Sequence, residues 1–411
     1  MDEFAAPTDP SRAGRLPRGR LVIGALMALA ATLVLAVGLL TVVVTRLENN
    51  GPASGVGINW QLTAQVPGVT FDFGPHLASA GGRLYMVVKG STTEVWSSAD
   101  RATWSREPGD VTIATNFVLR DMSDDGADGL LIAGETLVGE TQTPAVWHSS
   151  DGRTFAKAQV EVTASSEIVS VAARPGRMVA FGDHATILSN DGLMFSSLDA
   201  WYSADGATWS HVDLPESKDY QAIAITAWKG GFAAVANASL GQQGAAWTST
   251  DGRTWEKAPT ALAGFGAAAM AAIGDRVVAV GSTPDDVLGM VPASWSSTDG
   301  RTWVGSTASV RGPAFMFDDV TVVGDILAAI GSSHMGASLQ IADVPESTAP
   351  PAPPESVWTS GDGMTWRLLA EDSSLRFGVN PDTHMASFDG LVVVATRGNN
   401  AVEVFSGAVA K

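Results

Sequence analysis

The chain has 411 residues, 45% hydrophobic and 17% charged, with 44 Gly, 13 Trp and no Cys. This composition excludes a disordered chain, a collagen-like chain and a disulfide scaffold, and without Cys there is neither a thiolate metal site nor a Cys nucleophile. The charge is 25 Lys+Arg against 43 Asp+Glu, net −18, which lacks the basic footprint that nucleic-acid binding requires.

Residues 1–20 form a basic tail carrying Arg12, Arg15, Arg18 and Arg20. Residues 21–45 then run without a charge. At about 1.5 Å per residue, a helix of this length crosses a hydrocarbon core of roughly 30 Å with some tilt. The run is too long for the apolar core of a signal peptide, and no A-x-A site follows it closely, so it reads as an uncleaved transmembrane helix. With positive charge retained on the cytoplasmic side, the expected topology is single-pass in the cell membrane, N-terminus inside and the bulk of the chain outside. Residues 46–57 read as a polar linker. Five of the basic and three of the acidic residues precede residue 47, so the remainder carries about −20 and is repelled by anionic headgroups.

From residue 58 onward the chain repeats itself. Six segments read alike: Trp96 to Trp104, Trp147 to Phe155, Trp201 to Trp209, Trp247 to Trp255, Trp295 to Trp303 and Trp358 to Trp366, with Asp100, Asp151, Asp205, Asp251, Asp299 and Asp362 at the same place in each. The steps between these Asp residues are 51, 54, 46, 48 and 63, the length of a propeller blade. Within each unit, W-x-S alternates as a strand does, Asp opens a tight turn, Gly supplies positive φ, and T-W begins the returning strand. Arg101 replaces Gly in the first copy and Phe155 replaces Trp in the second, which predicts two looser turns.

The S-x-D-G-x-T-W pattern at 149–155, 203–209, 249–255, 297–303 and 360–366, with its Gly-less copy at 98–104, resembles the Asp-box (BNR) repeat of sialidases and sortilin-type receptors. The resemblance implies an all-β propeller over residues 58–411. It says little about activity, because in that family the box lies away from the ligand face. The Ala-, Gly- and Val-rich usage with Arg favoured over Lys points to a membrane-anchored bacterial member.

Between the boxes, two further strands separated by a Gly turn recur, as in 76–90, 170–182, 270–281 and 321–331, which completes six blades. After the sixth box, 385–390, 391–398 and 401–407 read as three strands of another blade with no fourth strand behind them. A fourth strand is found at the other end, where Asn59-Trp60 resembles the strands that follow each box. Seven blades are expected, the last built from both termini, with a six-bladed ring plus a cap as the alternative. Eleven of the 13 Trp belong to the boxes and Trp60 to the closing strand, so the aromatic content reads as blade packing.

The box turns and the turns between first and second strands share one face. The second-to-third loops and the interblade connections share the other, and blades three, five and six carry long loops there, at 183–200, 282–293 and 332–356. The candidate ligand residues on that face are His184, Tyr220, Arg311, His334 and Arg376, with Asp285, Asp286, Asp318 and His384 beside them. No H-x₃-H spacing supports a metal site at His184, His334 and His384. Asp121 to Asp128 resembles a calcium loop but has Ile132 where a Glu ligand belongs, and it reads as an acidic solvated turn. Sialidase chemistry implies an Arg triad and a Tyr nucleophile helped by Glu. Only Arg106, Arg311, Arg367, Arg376 and Arg397 are placed to clamp, and Tyr220 with Glu216 is the one candidate nucleophile pair. No cofactor and no catalytic constellation is expected. The reading is a non-catalytic binding or scaffolding module for an extracellular ligand or envelope protein, with a sialidase-like glycoside hydrolase as the alternative.

Overall fold

The computed structural model describes residues 59–67, 74–89, 93–107, 116–139, 141–187, 194–239, 243–259, 262–263, 266–285, 289–306, 316–332, 356–369, 383–397 and 401–409. All of these belong to the compact unit Pro52–Lys411. The apolar run 21–45, the tail and the linker lie outside the described residues, as do Asp286, Arg311, His334 and Arg376. Among the described residues, no helix is long and apolar enough to cross a membrane.

Seven antiparallel sheets follow one another along the chain, each built on four strands. They make a seven-bladed β-propeller. The inner strands, in blade order, are His76–Ala80, Phe117–Asp124, Glu167–Arg174, Tyr220–Trp228, Gly266–Ile273, Met316–Val323 and His384–Phe388. The second strand of each blade is covered on both faces by its neighbours. Such strands read as unbroken apolar runs rather than alternating ones: Leu84 to Val88 and Phe232 to Ala236 are buried throughout. The interfaces between blades take the aromatics. Trp247 and Trp255 of blade 4 pack with Val179, Phe181 and Leu198 of blade 3.

Blade 7 draws on both ends of the propeller. Asn59–Pro67 pairs antiparallel with Ala401–Ala408, from Asn59 opposite Ala408 to Pro67 opposite Ala401. This pairing supplies the fourth strand of blade 7 and covers the edge of Ala401–Ala408, where unpaired N–H and C=O groups would invite another chain. Across the joint between blades 7 and 1, the rings of His384 and His76 stack at 4.0 Å.

Three local expectations change. In the stretch 183–200, Asp183–Ile187 and Met194–Ala200 continue the blade 3 hairpin, paired from Met178 opposite Ser203 to Ile187 opposite Met194. Most of 282–293 is likewise strand, with Asp285 opposite Gly289. In five of the six boxes the aromatic residue precedes the fourth strand rather than opening it, as Glu256–Lys257 follows Trp255 and Arg367–Leu368 follows Trp366, whereas in blade 3 the strand Thr208–Val212 begins at T-W as expected. The indoles of Trp104, Trp209, Trp255 and Trp303 also close their turns, as when Trp303 Nε1 donates to the Gly300 carbonyl at 3.1 Å, while that of Trp366 donates to the Ser294 hydroxyl oxygen.

Each inner strand of blades 2 to 6 carries one β-bulge, at Arg120, Val169, Ile223, Ala268 and Asp318. A bulge adds one unpaired residue, increases the local twist and re-aims the side chains beside it. Five bulges at one register therefore turn the same position of each blade toward the propeller axis.

Candidate functional site

The repeat turns are self-contained. In each, one carboxylate oxygen accepts the two backbone N–H groups that follow it: Asp299 from Arg301 and Thr302 at 2.8 and 2.7 Å, Asp151 from Arg153 and Thr154 at 2.8 and 2.7 Å. These bonds to the charged form hold Asp151 down at about 2, the Thr154 N–H contributing most, then Arg153. Asp299 is also held at about 2, by the Thr302 N–H against desolvation, with Arg301 adding to it. The two irregular copies keep the same clamp. Arg101 takes the left-handed conformation of the glycine it replaces, φ 70°, and Asp100 still accepts from Ala102 and Thr103. Elsewhere the glycine is needed for space as well as for φ: a Cβ on Gly152 would fall 1.8 Å from the Tyr85 hydroxyl of the preceding blade. All six Asp residues thus have full local work in their own turns.

Asp121 to Asp128 ends the first strand of blade 2 and turns into the second, with Asp124 and Asp128 exposed as expected of an acidic turn, but not all of it is solvated. Asp121 and Asp124 belong to the inner strand of blade 2. Asp125 is buried, accepts from Ala127 and Gly129 at 2.9 Å each, and pairs with His148 at 2.9 Å.

The central channel encloses about 600 Å³. The residue four before the end of the inner strand, or three before it in blade 2, assembles a ring: His76, Asp121, Ser170, Ala224, Ala269, Asp319 and His384. The polar members latch one blade to the next by the same geometry. Asp121 accepts from the Val171 N–H at 2.9 Å and the Ser170 hydroxyl at 2.8 Å, and from its own neighbour Met122 at 2.7 Å. Ser170 accepts from the Ile225 N–H at 3.2 Å. Asp319 accepts from Met385 at 2.8 Å and Val320 at 2.7 Å. One level further out, Asp183 accepts from the Ala222 N–H at 2.7 Å, and Asn237 exchanges two bonds with the backbone of Ala267.

Burial dominates the titration of this ring. Desolvation raises Asp121, Asp183 and Asp319 to about 6 each, despite the N–H groups that favour their charged forms. His76 is pushed well below its usual value by burial first, then by His384 and Arg120. Arg120, on its bulge, lines the channel and is held by Glu135 at 3.0 Å and Glu167 at 2.5 Å. The opposite wall is small and apolar, with Ala172, Ala224, Ala268, Ala269, Ala271 and Ala272.

Of the expected ligand residues, His184 and Tyr220 are described, and they stand in different surroundings. His184 pairs with Asp199 at 2.8 Å, and the other oxygen of that buried carboxylate takes His211 at 3.0 Å. Among the described residues no group of three or more His, Asp or Glu could hold a metal ion. Tyr220 lines a separate groove of about 680 Å³ between blades 3 and 4. There, Lys257 Nζ lies 3.3 Å from both the Tyr220 hydroxyl and Glu216, and 4.7 Å from the Tyr220 ring centroid. Glu216 and Asp219, on the same rim, have φ of 51° and 69°. Arg106 is paired with Glu94 on the outer strands of blade 1 at 3.3 Å and takes no part in the channel.

Sequence reasoning missed Arg120, Asp121 and Asp319 as channel groups and Asp183 and His76 as groups behind the lining, and placed His384 and Asp318 only on the face in general. The available signal was the residue three or four before the end of each inner strand, compared across blades.

No protein-family model and no curated protein matches the chain. Among solved structures it is similar to Trypanosoma rangeli sialidase in complex with the inhibitor DANA, at 10% identity and a TM-score of 0.42, over 84% of this chain and 58% of that one. It is similar to the same sialidase in complex with sialic acid, at 12% identity and 0.41, over 87% and 59%. It is also similar to the WD40 propeller domain of Doa1, at 10% identity and 0.48, over 85% and 97%. The chain spans less than two thirds of the sialidase chains it matches.

Proposed function

We propose that this protein is a single-pass membrane protein that displays its propeller outside the cell as a non-catalytic binding or scaffolding module, with the channel mouth as the binding face. One observation carries this reading: the channel is an open cavity with a small-residue wall, and Arg120, Asp121 and Asp319 on its lining also join one blade to the next. Asp121, Asp183 and Asp319 each hold a backbone N–H of the next blade, and Arg120 is held by two Glu. The uncharged run 21–45 behind a basic tail supports the anchor. Because the chain has no Cys, single cysteines at Ser11 and Ser54 test the topology. An impermeant maleimide applied to intact cells should label Ser54→Cys and spare Ser11→Cys.

The second reading, a sialidase-like glycoside hydrolase, is favoured by the joint contact of Tyr220 and Glu216 with Lys257. Full-length protein in detergent micelles, assayed on fluorogenic sialosides and other glycosides, decides between the two. Turnover abolished by Tyr220→Phe would overturn the binding-module reading, and no turnover is expected.

A further inference from the structure

Asp121 and Asp319 stand three blades apart on the ring and face one cavity from different sides. Their hydrogen bonds come from neutral donors, and an ionised carboxylate offers about four lone-pair positions. Asp319 accepts two bonds and Asp121 three, so both retain acceptor capacity. Asp318 adds another carboxylate at the bulge of blade 6. Among the described residues lining the cavity, Arg120 is the one Arg or Lys, and it already faces Glu135 and Glu167. His384 lies 3.9 Å from Asp319, and its stacking partner His76 is buried.

An independent feature points to a ligand. Thr383 lines the same cavity, is only 6% exposed, and its hydroxyl has no hydrogen-bond partner. An unpaired buried hydroxyl costs roughly 1–3 kcal/mol, so a donor or acceptor arriving in the cavity would be stabilised there. Opposite the polar arc, Ala224, Ala268 and Ala269 present methyl groups, which suit a methylene chain and offer nothing to sugar hydroxyls.

We propose that the channel binds an organic dication of the alkyl diamine or polyamine class, one primary ammonium on Asp319 and another on Asp121, with its methylene chain along the alanine wall. This names a ligand class for the channel and rests on the binding-module reading. The hydrogen bonds that both carboxyls accept come from neutral N–H and O–H groups, with His384 3.9 Å from Asp319, and a bound dication adds positive charge where burial leaves the carboxylates poorly solvated.

The test is calorimetric titration of the full-length protein in detergent micelles at pH 7.5 with putrescine, spermidine, butylamine and 1,4-butanediol. The diamine and the polyamine should bind, butylamine at least about tenfold more weakly, and the diol not at all. Asp319→Asn should weaken putrescine at least about tenfold. Because that variant also alters a latch between blades, Ala268→Leu serves beside it: it fills the cavity without touching a carboxylate, and should abolish binding at an unchanged melting temperature. No binding to the wild type, binding of the diol equal to that of the diamine, or equal putrescine affinity in a folded Ala268→Leu variant would each overturn the assignment. Glycoside turnover is a separate readout, so the ammonium assignment and the binding-module reading fail independently.

Discussion

In the repeat turns, Asp151 and Asp299 lie in solvated hairpins and accept N–H groups two and three residues ahead. In the channel, Asp121 and Asp319 also accept N–H groups, but each reaches across to a residue in the next blade, Val171 and Met385. The same carboxylate is held at about 2 in the first setting and raised to about 6 in the second. The difference teaches that hydrogen bonding alone does not decide the charge state. Solvent access does: the exposed turn adds donors at little desolvation cost, whereas the channel removes water faster than two or three N–H groups compensate.

The largest effect expected from breaking this comparison is at Asp121. Asp121→Ala strips the partner from two backbone N–H groups and the Ser170 hydroxyl in a buried setting. A loss of about 3 kcal/mol is expected in urea unfolding, and Asp121→Asn, which keeps an acceptor, should lose clearly less.

The next effect is in pH. Asp319 has a folded value of about 6, above its unfolded one, so the folded state binds more protons between roughly pH 4 and 6. Its contribution is full below pH 4 and is lost as pH rises through 6. The stability of Asp319→Asn relative to wild type should therefore improve from pH 4 to pH 7, by up to about 3 kcal/mol, since each pKa unit is worth about 1.4 kcal/mol. Asp299→Asn should show the reverse sign. Its folded value of about 2 places its contribution above pH 4, so the penalty of the variant should shrink as pH falls from 4 toward 2. Melting curves across both windows check the two signs together, and equal signs would remove the distinction between the regions.

A smaller effect is expected for Asp299→Ala at neutral pH. The lost bonds are local and water can replace them, as at a helix N-cap, so about 1 kcal/mol is expected in denaturant melts. The smallest is Arg101→Gly. It relieves a left-handed residue that carries a side chain but gives up the 3.3 Å contact with Asp389, and a net gain of roughly 0.5–1 kcal/mol is expected.

The turns were legible because all their partners lie within a few residues: Ser297, Asp299, Gly300, Thr302 and Trp303 bond one another, so spacing alone encodes the clamp. The blade count was legible for a related reason, since each repeat carries its own hydrophobic strands and turn signals. The channel was not. Asp121 reads as part of an acidic run, and its role depends on a bulge at Arg120 that nothing in the local sequence announces. Tyr220 and Glu216 were rightly placed near each other, but Lys257 between them comes from the outer strand of the same blade.

By itself, then, the sequence determined the repeat: a fourfold strand pattern, a hairpin clamp closed by short-range bonds, and a first strand that needs a partner at the far end of the chain. Only the tertiary structure decided that residues about 50 positions apart share one level of a channel, and that His76, Asp121, Asp319 and His384 meet there. The physical reason is range. A turn is specified by donors and acceptors within four residues, whereas the desolvation that raises the channel carboxylates exists only once seven blades have closed around them.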